Sequence, residues 1–201
     1  MDIFVLVVLV AIGAHMLKSK YQSRRIALLG SYLRKYQIEK LMESLTEGYL
    51  RALGEGDPAR REQIWRLLET TETALCDQLN SFVAEFSRVE EADARVSKLA
   101  LAIPYADKLF PKATFDLRKA LAIHAQGITN AAKNSLNRTP KSKAFTLSAE
   151  LFLLQHTCHW FCKSKTVASA RMLGRQKTSY EQLVDAVAPD TRQAYCALIG
   201  R

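Results

Sequence analysis

An apolar run near the N-terminus, residues 3–14, constrains this chain more than any other feature. Its sequence, IFVLVVLVAIGA, contains no charged and no strongly polar side chain. Four cations follow it closely, at Lys18, Lys20, Arg24 and Arg25. A helix over residues 1–17 would be roughly 25 Å long, which is slightly short of the ~30 Å hydrocarbon core of a bilayer. Lysine side chains can reach back to the headgroups and cover the difference. We therefore predict a transmembrane anchor over residues 1–17.

Two other interpretations of this run stay open. A cleaved secretory signal normally begins with Lys or Arg, whereas only Asp2 precedes this run. The small residues Ala11 and Gly13 nevertheless suit a cleavage site. A buried or oligomer-forming helix would also be apolar on every face, but such a helix is unusual at a chain terminus that has to cover itself.

The cations give the predicted anchor an orientation, because positive residues stay on the cytoplasmic side of a membrane. We expect a single-pass protein of an inner or plasma membrane, with the N-terminus outside and residues 18–201 in the cytoplasm. In that compartment the four cysteines would be reduced. If the domain were exported instead, a bridge between Cys76 and Cys196 would become possible.

The net charge of +9 is distributed in blocks. Residues 18–40 carry +6, residues 41–95 carry −6 and residues 131–180 carry +8. Each Lys or Arg near an anionic membrane surface is worth about 1 kcal/mol. We expect the 18–40 segment to lie against anionic lipid headgroups, because the anchor places it there. For the 131–180 segment, lipid contact and a simple solvated helix face both stay open.

The rest of the sequence predicts an all-α chain. Apolar residues recur at steps of three and four, and no alternating strand pattern of useful length occurs. The chain has only 8 glycines and 5 prolines, which leaves room for long helices. We predict an N-terminal transmembrane helix and then a single helical-bundle domain of five to seven helices. The predicted units are a basic juxtamembrane helix over 18–53 and a helical domain over 54–201, packed together as one unit.

Caps and helix breakers place the boundaries. Residues 19–53 predict one helix continuous with the anchor, with Gly30 as its weakest point. Gly54, Asp57 and Pro58 predict a break, with Asp57 capping the next helix. The further predicted helices cover residues 58–89, 90–101, 113–134, 146–173, 179–187 and 191–199. Between two of them, residues 104–111 predict a turn whose Tyr105 and Phe110 fill the core; a binding loop is the alternative.

The densest group of reactive side chains is His156, Cys158, His159 and Cys162. At about 100° per residue, Cys158, His159 and Cys162 project from adjoining positions of a helix, and thiolates with imidazole suit Zn²⁺. A closed site needs a fourth ligand, for which the candidates are His124, Cys76 and Cys196. Cys158 also falls on an apolar stripe, so cysteines packed in a core explain the pattern without a metal. We expect no cofactor and keep zinc as the alternative.

Motifs of the common enzyme classes do not occur. The sequence has no phosphate-binding glycine loop, no G-x-S-x-G and no H-E-x-x-H. His159 follows Cys158 directly and points away from it on a helix, so the pair does not suit nucleophilic catalysis. The last two predicted helices have helix-turn-helix spacing, and the second offers Arg192, Gln193 and Tyr195 to a nucleic acid.

The preferred hypothesis from the sequence is therefore a non-enzymatic, membrane-anchored helical protein. Its cytoplasmic domain would act by binding a protein partner whose identity the sequence does not give. The alternatives are a metal-binding or redox protein that uses Cys158, His159 and Cys162, and a membrane-tethered nucleic-acid-binding domain.

Overall fold

The computed structural model describes residues 3–100 and 102–201, so Met1 and Asp2 of the predicted anchor and Leu101 of the predicted helix 90–101 lie outside it. The helices are α1 (Ile3–Leu33), α2 (Ile38–Gly54), α3 (Pro58–Phe86), α4 (Glu91–Ala94), α5 (Ala106–Leu109), α6 (Leu117–Lys133), α7 (Pro140–Cys162), α8 (Lys165–Gln176), α9 (Tyr180–Ala186) and α10 (Pro189–Ile199). Two short strands, β1 (Arg95–Ser97) and β2 (Thr114–Asp116), pair antiparallel.

The predicted all-α architecture is confirmed. Seven of the described helices after α1 are seven or more residues long, in agreement with the predicted five to seven, while α4 and α5 are single turns. The central helix is α7, which contacts α1, α2, α6, α8 and α9. Leu147 and Leu151 of α7, Leu121 of α6 and Phe82 of α3 are fully buried in the shared core.

Helix α1 has two parts that differ in burial. Every residue from 3 to 20 is exposed, whereas Leu29 and other residues after Tyr21 pack on the domain. The predicted continuity between the anchor and the next helix is confirmed, because α1 runs unbroken to Leu33. At about 1.5 Å per residue, its exposed part is about 27 Å long.

The prediction of one helix over residues 19–53 is wrong. Gly30 lies inside α1, and the break comes later, between Leu33 and Ile38. Contacts with α3 favour this break, because Tyr36 packs edge-on against Phe82 at 6.2 Å between ring centroids. The backbone N–H of Gln37 also donates a hydrogen bond to the side chain of Gln78 at 2.6 Å. These partners are distant in sequence, so local helix propensity does not reveal them.

The predicted break at residues 54–58 is confirmed. Helix α2 ends at Gly54, and α3 begins at Pro58 with Asp57 as its cap. The carboxylate of Asp57 accepts a hydrogen bond from the N–H of Ala59 at 2.8 Å.

Two helices replace the predicted helix over residues 146–173. Helix α7 begins earlier, at Pro140, where the hydroxyl of Thr139 accepts from the N–H of Ser142 at 3.3 Å. It ends at Cys162, and α8 starts after Ser164, which is buried, extended and caps the new helix. Neither glycine nor proline marks this second break, and Gly174 lies within α8 instead of ending it.

The predicted helix over residues 90–101 is also wrong. Only the turn Glu91–Ala94 is helical, and β1 follows it, with Val96 paired to Phe115 of β2. Both side chains are buried, and strands of three residues are too short to show an alternating pattern. Because residues 114–116 form β2, helix α6 begins at Leu117 and not at residue 113.

Residues 104–111 do not fill the core as predicted. The side chains of Tyr105 and Phe110 are 39% and 49% exposed. The single turn α5 buries Ala106 and Asp107, whereas its Leu109 and the flanking Tyr105 and Phe110 are exposed.

Candidate functional site

An open groove of about 630 Å³ lies between the C-terminal half of α1 and helices α2, α7 and α8. Its wall is largely apolar and includes Leu33 of α1, Met42 of α2 and Phe152 of α7. The volume falls within the roughly 300–1,000 Å³ of typical binding pockets. The break at residues 34–37 ends α1, and α2 then packs on α3 and α7, so that α1, α2 and α7 all line the groove.

The two sides of the groove carry opposite charges. Glu39, Glu43 and Glu47 line it from α2, and Arg171 and Arg175 line it from α8. Spacings of four residues place each set on one face of its helix, so the acidic row is about 12 Å long. All five side chains are exposed, and none forms an ion pair within the described part of the chain. The groove therefore presents two unpaired charge rows beside an apolar wall.

The sequence-predicted side chains Cys158, His159 and Cys162 all line this groove. Burial raises the pKa of the Cys158 thiol and raises that of Cys162 to about 11. Burial, together with the neighbouring Arg171 and Arg175, lowers the pKa of His159 to about 4. At neutral pH the thiols are therefore protonated and the imidazole is neutral. Since the thiolate is the reactive form of cysteine, this arrangement suits binding better than nucleophilic chemistry.

The predicted fourth metal ligands do not join these three. Cys76 is buried in α3 and Cys196 is half-buried in α10, and all four cysteines are free. His124 is buried in α6, where its Nε2 lies 2.9 Å from the hydroxyl of Thr157. Over residues 3–100 and 102–201, no three His, Cys, Asp or Glu side chains are arranged to hold a metal ion.

The four predicted flanking cations occupy two different environments. Lys18, Lys20 and Arg24 are exposed, as a contact with headgroups requires. Arg25 is buried instead, and its guanidinium donates hydrogen bonds to the carbonyl oxygens of Phe161, at 3.1 Å, and Arg95. It also lies 4.6 Å from the centre of the Phe161 ring. Arg25 therefore joins α1 to α7 and β1.

The residues suggested for nucleic-acid contact are only partly available. Arg192 and Gln193 are exposed on α10. Tyr195 is fully buried, with its hydroxyl 3.3 Å from that of Thr157, so its side chain does not face outward.

A buried polar group that the sequence analysis missed lies where α6, α7 and α10 meet. Glu150 is fully buried and accepts a hydrogen bond from the N–H of Ala188 at 3.0 Å, while its Oε2 has no partner among the described residues. A Cβ at Gly127 would lie 2.6 Å from that oxygen, so the glycine makes room for the carboxyl group. Burial raises the pKa of Glu150 to about 7. The sequence does single out this residue, because Glu150 is the one acidic residue between 131 and 180.

Replacing this carboxyl group in Glu150→Gln should stabilise the domain at alkaline pH. The pKa is about 7 when folded against a usual 4.5, so Glu150 contributes stability that is complete below pH 4.5 and is lost as the pH rises through 7. At 1.36 kcal/mol per pKa unit, the variant should gain about 3 kcal/mol over the wild type at pH 8 and almost nothing at pH 4.5. Chemical unfolding at several pH values measures the difference.

Burial lowers the pKa values of His124 and His156 to about 3, and both histidines are present in the variant, so comparing the two proteins at each pH cancels their effect. The matched control is Glu69→Gln on the exposed face of α3, whose free energy of unfolding should stay within about 0.5 kcal/mol of the wild type at each pH. A constant difference between Glu150→Gln and the wild type at every pH would contradict the assignment.

Comparisons of the chain with protein-family models, with curated proteins and with solved structures each found no match. Over residues 3–100 and 102–201, the structure defines an all-α domain that carries an exposed apolar helix and an open groove with charged sides.

Proposed function

We propose that this chain is a single-pass membrane protein whose helical domain binds an amphipathic helix of a partner protein in the groove. The observation that carries the proposal is the pairing of an apolar groove wall with two unpaired charge rows of opposite sign. A helix laid into such a groove presents an apolar face to the wall. Its edge toward Glu39, Glu43 and Glu47 would be basic, and its edge toward Arg171 and Arg175 would be acidic.

The exposed part of α1 supports the membrane anchor. Within the described residues, α1 is the one helix long and apolar enough to cross a bilayer, with a mean hydropathy of 1.8 in an 18-residue window that is 0% buried. An apolar helix that no part of the domain covers needs another apolar environment, and a bilayer supplies it. The exposed cations Lys18 and Lys20 would then meet anionic headgroups on the cytoplasmic side, while Arg24 pairs with Asp93.

This tether would hold the groove within reach of other membrane proteins. The part of α1 that lines the groove, residues 26–33, follows the exposed part by about 9–20 Å along the helix axis. A short cytoplasmic segment of a protein in the same membrane could therefore reach the groove. Binding a protein segment there requires no catalytic group, which agrees with the protonated thiols and neutral imidazole on its wall.

Site-specific cross-linking in native membranes tests this function. A photoreactive amino acid at Met42, on the groove wall, should yield a discrete cross-linked protein. The same amino acid at Leu67, which is 72% exposed on α3 and outside the groove, should not. Reversing two charges in Glu43→Lys/Glu47→Lys should lower the yield about tenfold, because like charges across an interface cost more than the 1.4 kcal/mol that a factor of ten represents.

The matched control reverses two exposed glutamates of α3 in Glu62→Lys/Glu69→Lys and should leave the yield unchanged. Mass spectrometry of the cross-linked peptide should identify an amphipathic helical segment with a basic edge. Equal yields at Met42 and Leu67, or a cross-linked segment without that pattern, would contradict the proposal.

A further inference from the structure

The connection between β1 and β2 exposes an unusual number of large apolar side chains. We call residues 103–112 the interfacial loop. Ile103, Tyr105, Leu109 and Phe110 are 41%, 39%, 65% and 49% exposed, although they lie within eight consecutive residues. The loop has a defined shape, since α5 is followed directly by a 3₁₀ turn at Pro111–Ala113. Apolar side chains concentrated on a surface in this way mark a contact with a protein or a membrane.

Helix α1 fixes the position of the interfacial loop. The hydroxyl of Tyr21 donates a hydrogen bond to the buried carboxylate of Asp107 at 2.5 Å. The ring of Tyr21 also lies 5.1 Å from that of Tyr105, measured between centroids. Tyr21 directly follows the exposed part of α1 and lies about 6 Å along the helix axis from Leu17, the last residue of the predicted anchor. The loop is therefore attached at the end of the apolar helix.

The side chains of the loop have the chemistry of a membrane–water interface. Aromatic residues are enriched at the level of the headgroups, and lysines there meet anionic lipid. Besides its apolar residues, the loop exposes Lys108 and Lys112, and the ammonium group of Lys108 lies 5.7 Å from the centre of the Tyr105 ring. Tyr105 has a φ of 56°, a left-handed conformation that bulky residues rarely adopt and that often marks a functional position.

We propose that the interfacial loop is a second membrane contact, inserted beside α1 into the headgroup region of the same leaflet. Ile103, Tyr105, Leu109 and Phe110 enter the boundary of the hydrocarbon core, while Lys108 and Lys112 bind anionic phosphate groups. This inference rests on the proposed membrane anchor. The position of the loop at Tyr21 favours lipid over a protein, because a bilayer crossed by the exposed part of α1 would end at this level.

Attachment at two points has a consequence for the groove. A single helix would let the domain tilt and rotate about its axis, whereas a helix and a loop hold one face of the domain against the membrane. The groove is lined by residues 26–33 of α1, so a domain held at two points also has a fixed direction in which the groove opens.

The test uses the full chain reconstituted in vesicles of phosphatidylcholine with roughly 30% phosphatidylserine, a charge fraction that gives an anionic surface. An environment-sensitive fluorescent amino acid replaces Leu109, and in a second protein it replaces Leu67, which is also well exposed but lies on α3. In vesicles, the probe at 109 should emit at shorter wavelength and be quenched by iodide several-fold less than the probe at 67. The variant Tyr105→Ser/Phe110→Ser should raise quenching at 109 to the level at 67 without changing the helical content.

Extraction of the same vesicles with alkaline carbonate separates the possible failures. If the chain stays in the membrane and the probe at 109 is quenched like that at 67, the loop contact is wrong and the anchor stands. If carbonate releases the chain, the anchor and the loop contact both fail. If the probe is protected in native membranes but not in the reconstituted vesicles, which contain no other protein, the loop binds a protein and this proposal is overturned.

Discussion

Deleting residues 2–17 should move the protein from the membrane fraction to the soluble fraction and leave its domain folded. The deleted residues from 3 onward are all exposed, so the core keeps its contacts, which begin after Lys20. The deletion also removes the exposed apolar surface that we propose to lie in a bilayer. Fractionation of cells after a high-salt wash measures the location, and circular dichroism of the purified deletion variant measures the helical content.

A matched control replaces residues 3–14 by the same residues in scrambled order. Because insertion depends on length and hydropathy and not on order, this control should stay in the membrane fraction. A deletion variant that remains in washed membranes as fully as the wild type would show that α1 is not the anchor. A deletion variant that loses its helical signal would show that the exposed part of α1 packs on the domain after all.

Arg25→Ala should destabilise the domain by about 4 kcal/mol, because hydrogen bonds from a charged donor are worth about 1.5–3 kcal/mol each and two are lost. The carbonyl oxygens of Phe161 and Arg95 would lose their guanidinium donor, and the ring of Phe161 would lose its cation contact. Urea unfolding of the full chain in a mild detergent, followed by circular dichroism, measures the change in the free energy of unfolding.

The neighbouring residue supplies the control. Arg24 forms an exposed ion pair with Asp93 at 3.1 Å, with 74% of its own side chain exposed. Arg24→Ala should therefore change the free energy of unfolding by less than about 0.5 kcal/mol. Equal effects of the two substitutions would contradict the assignment of Arg25 as the joint between α1 and the domain.

The sequence predicted the features that depend on local pattern. The apolar run at residues 3–14 indicated a helix that continues into the next segment, and Asp57 before Pro58 indicated a cap, because both signals lie within a few consecutive residues. The sequence did not predict the break after Leu33 or the break before Ser164. Neither site contains a breaker, and each break is stabilised by partners far away in the chain, such as Phe82 for Tyr36 and the carbonyl of Ala100 for Thr166.

The candidate site was predicted in part for the same reason. Helical periodicity grouped Cys158, His159 and Cys162, and all three line the groove from α7. The groove itself needs α2 and α8 to turn back beside α7, and both turns were among the missed breaks. Because Arg25 follows the apolar run, we expected it to contact lipid headgroups. It is buried instead, and it forms a hydrogen bond with Phe161, which is distant in the sequence. The pattern of residues 104–111 was ambiguous, since exposed and buried aromatic residues look alike in a sequence.

Topology mapping of the full chain tests the central claim most directly, namely that α1 crosses a membrane once and places the domain in the cytoplasm. A reporter that is active only in the cytoplasm is fused after Arg201. In a parallel protein, a reporter that is active only outside is fused at the same position. Carbonate extraction then shows whether each fusion protein stays in the membrane. We expect activity of the cytoplasmic reporter alone, on a full-length chain that stays in the membrane. Recovery of the uncleaved chain in the water-soluble fraction, or activity of the external reporter alone, would contradict it.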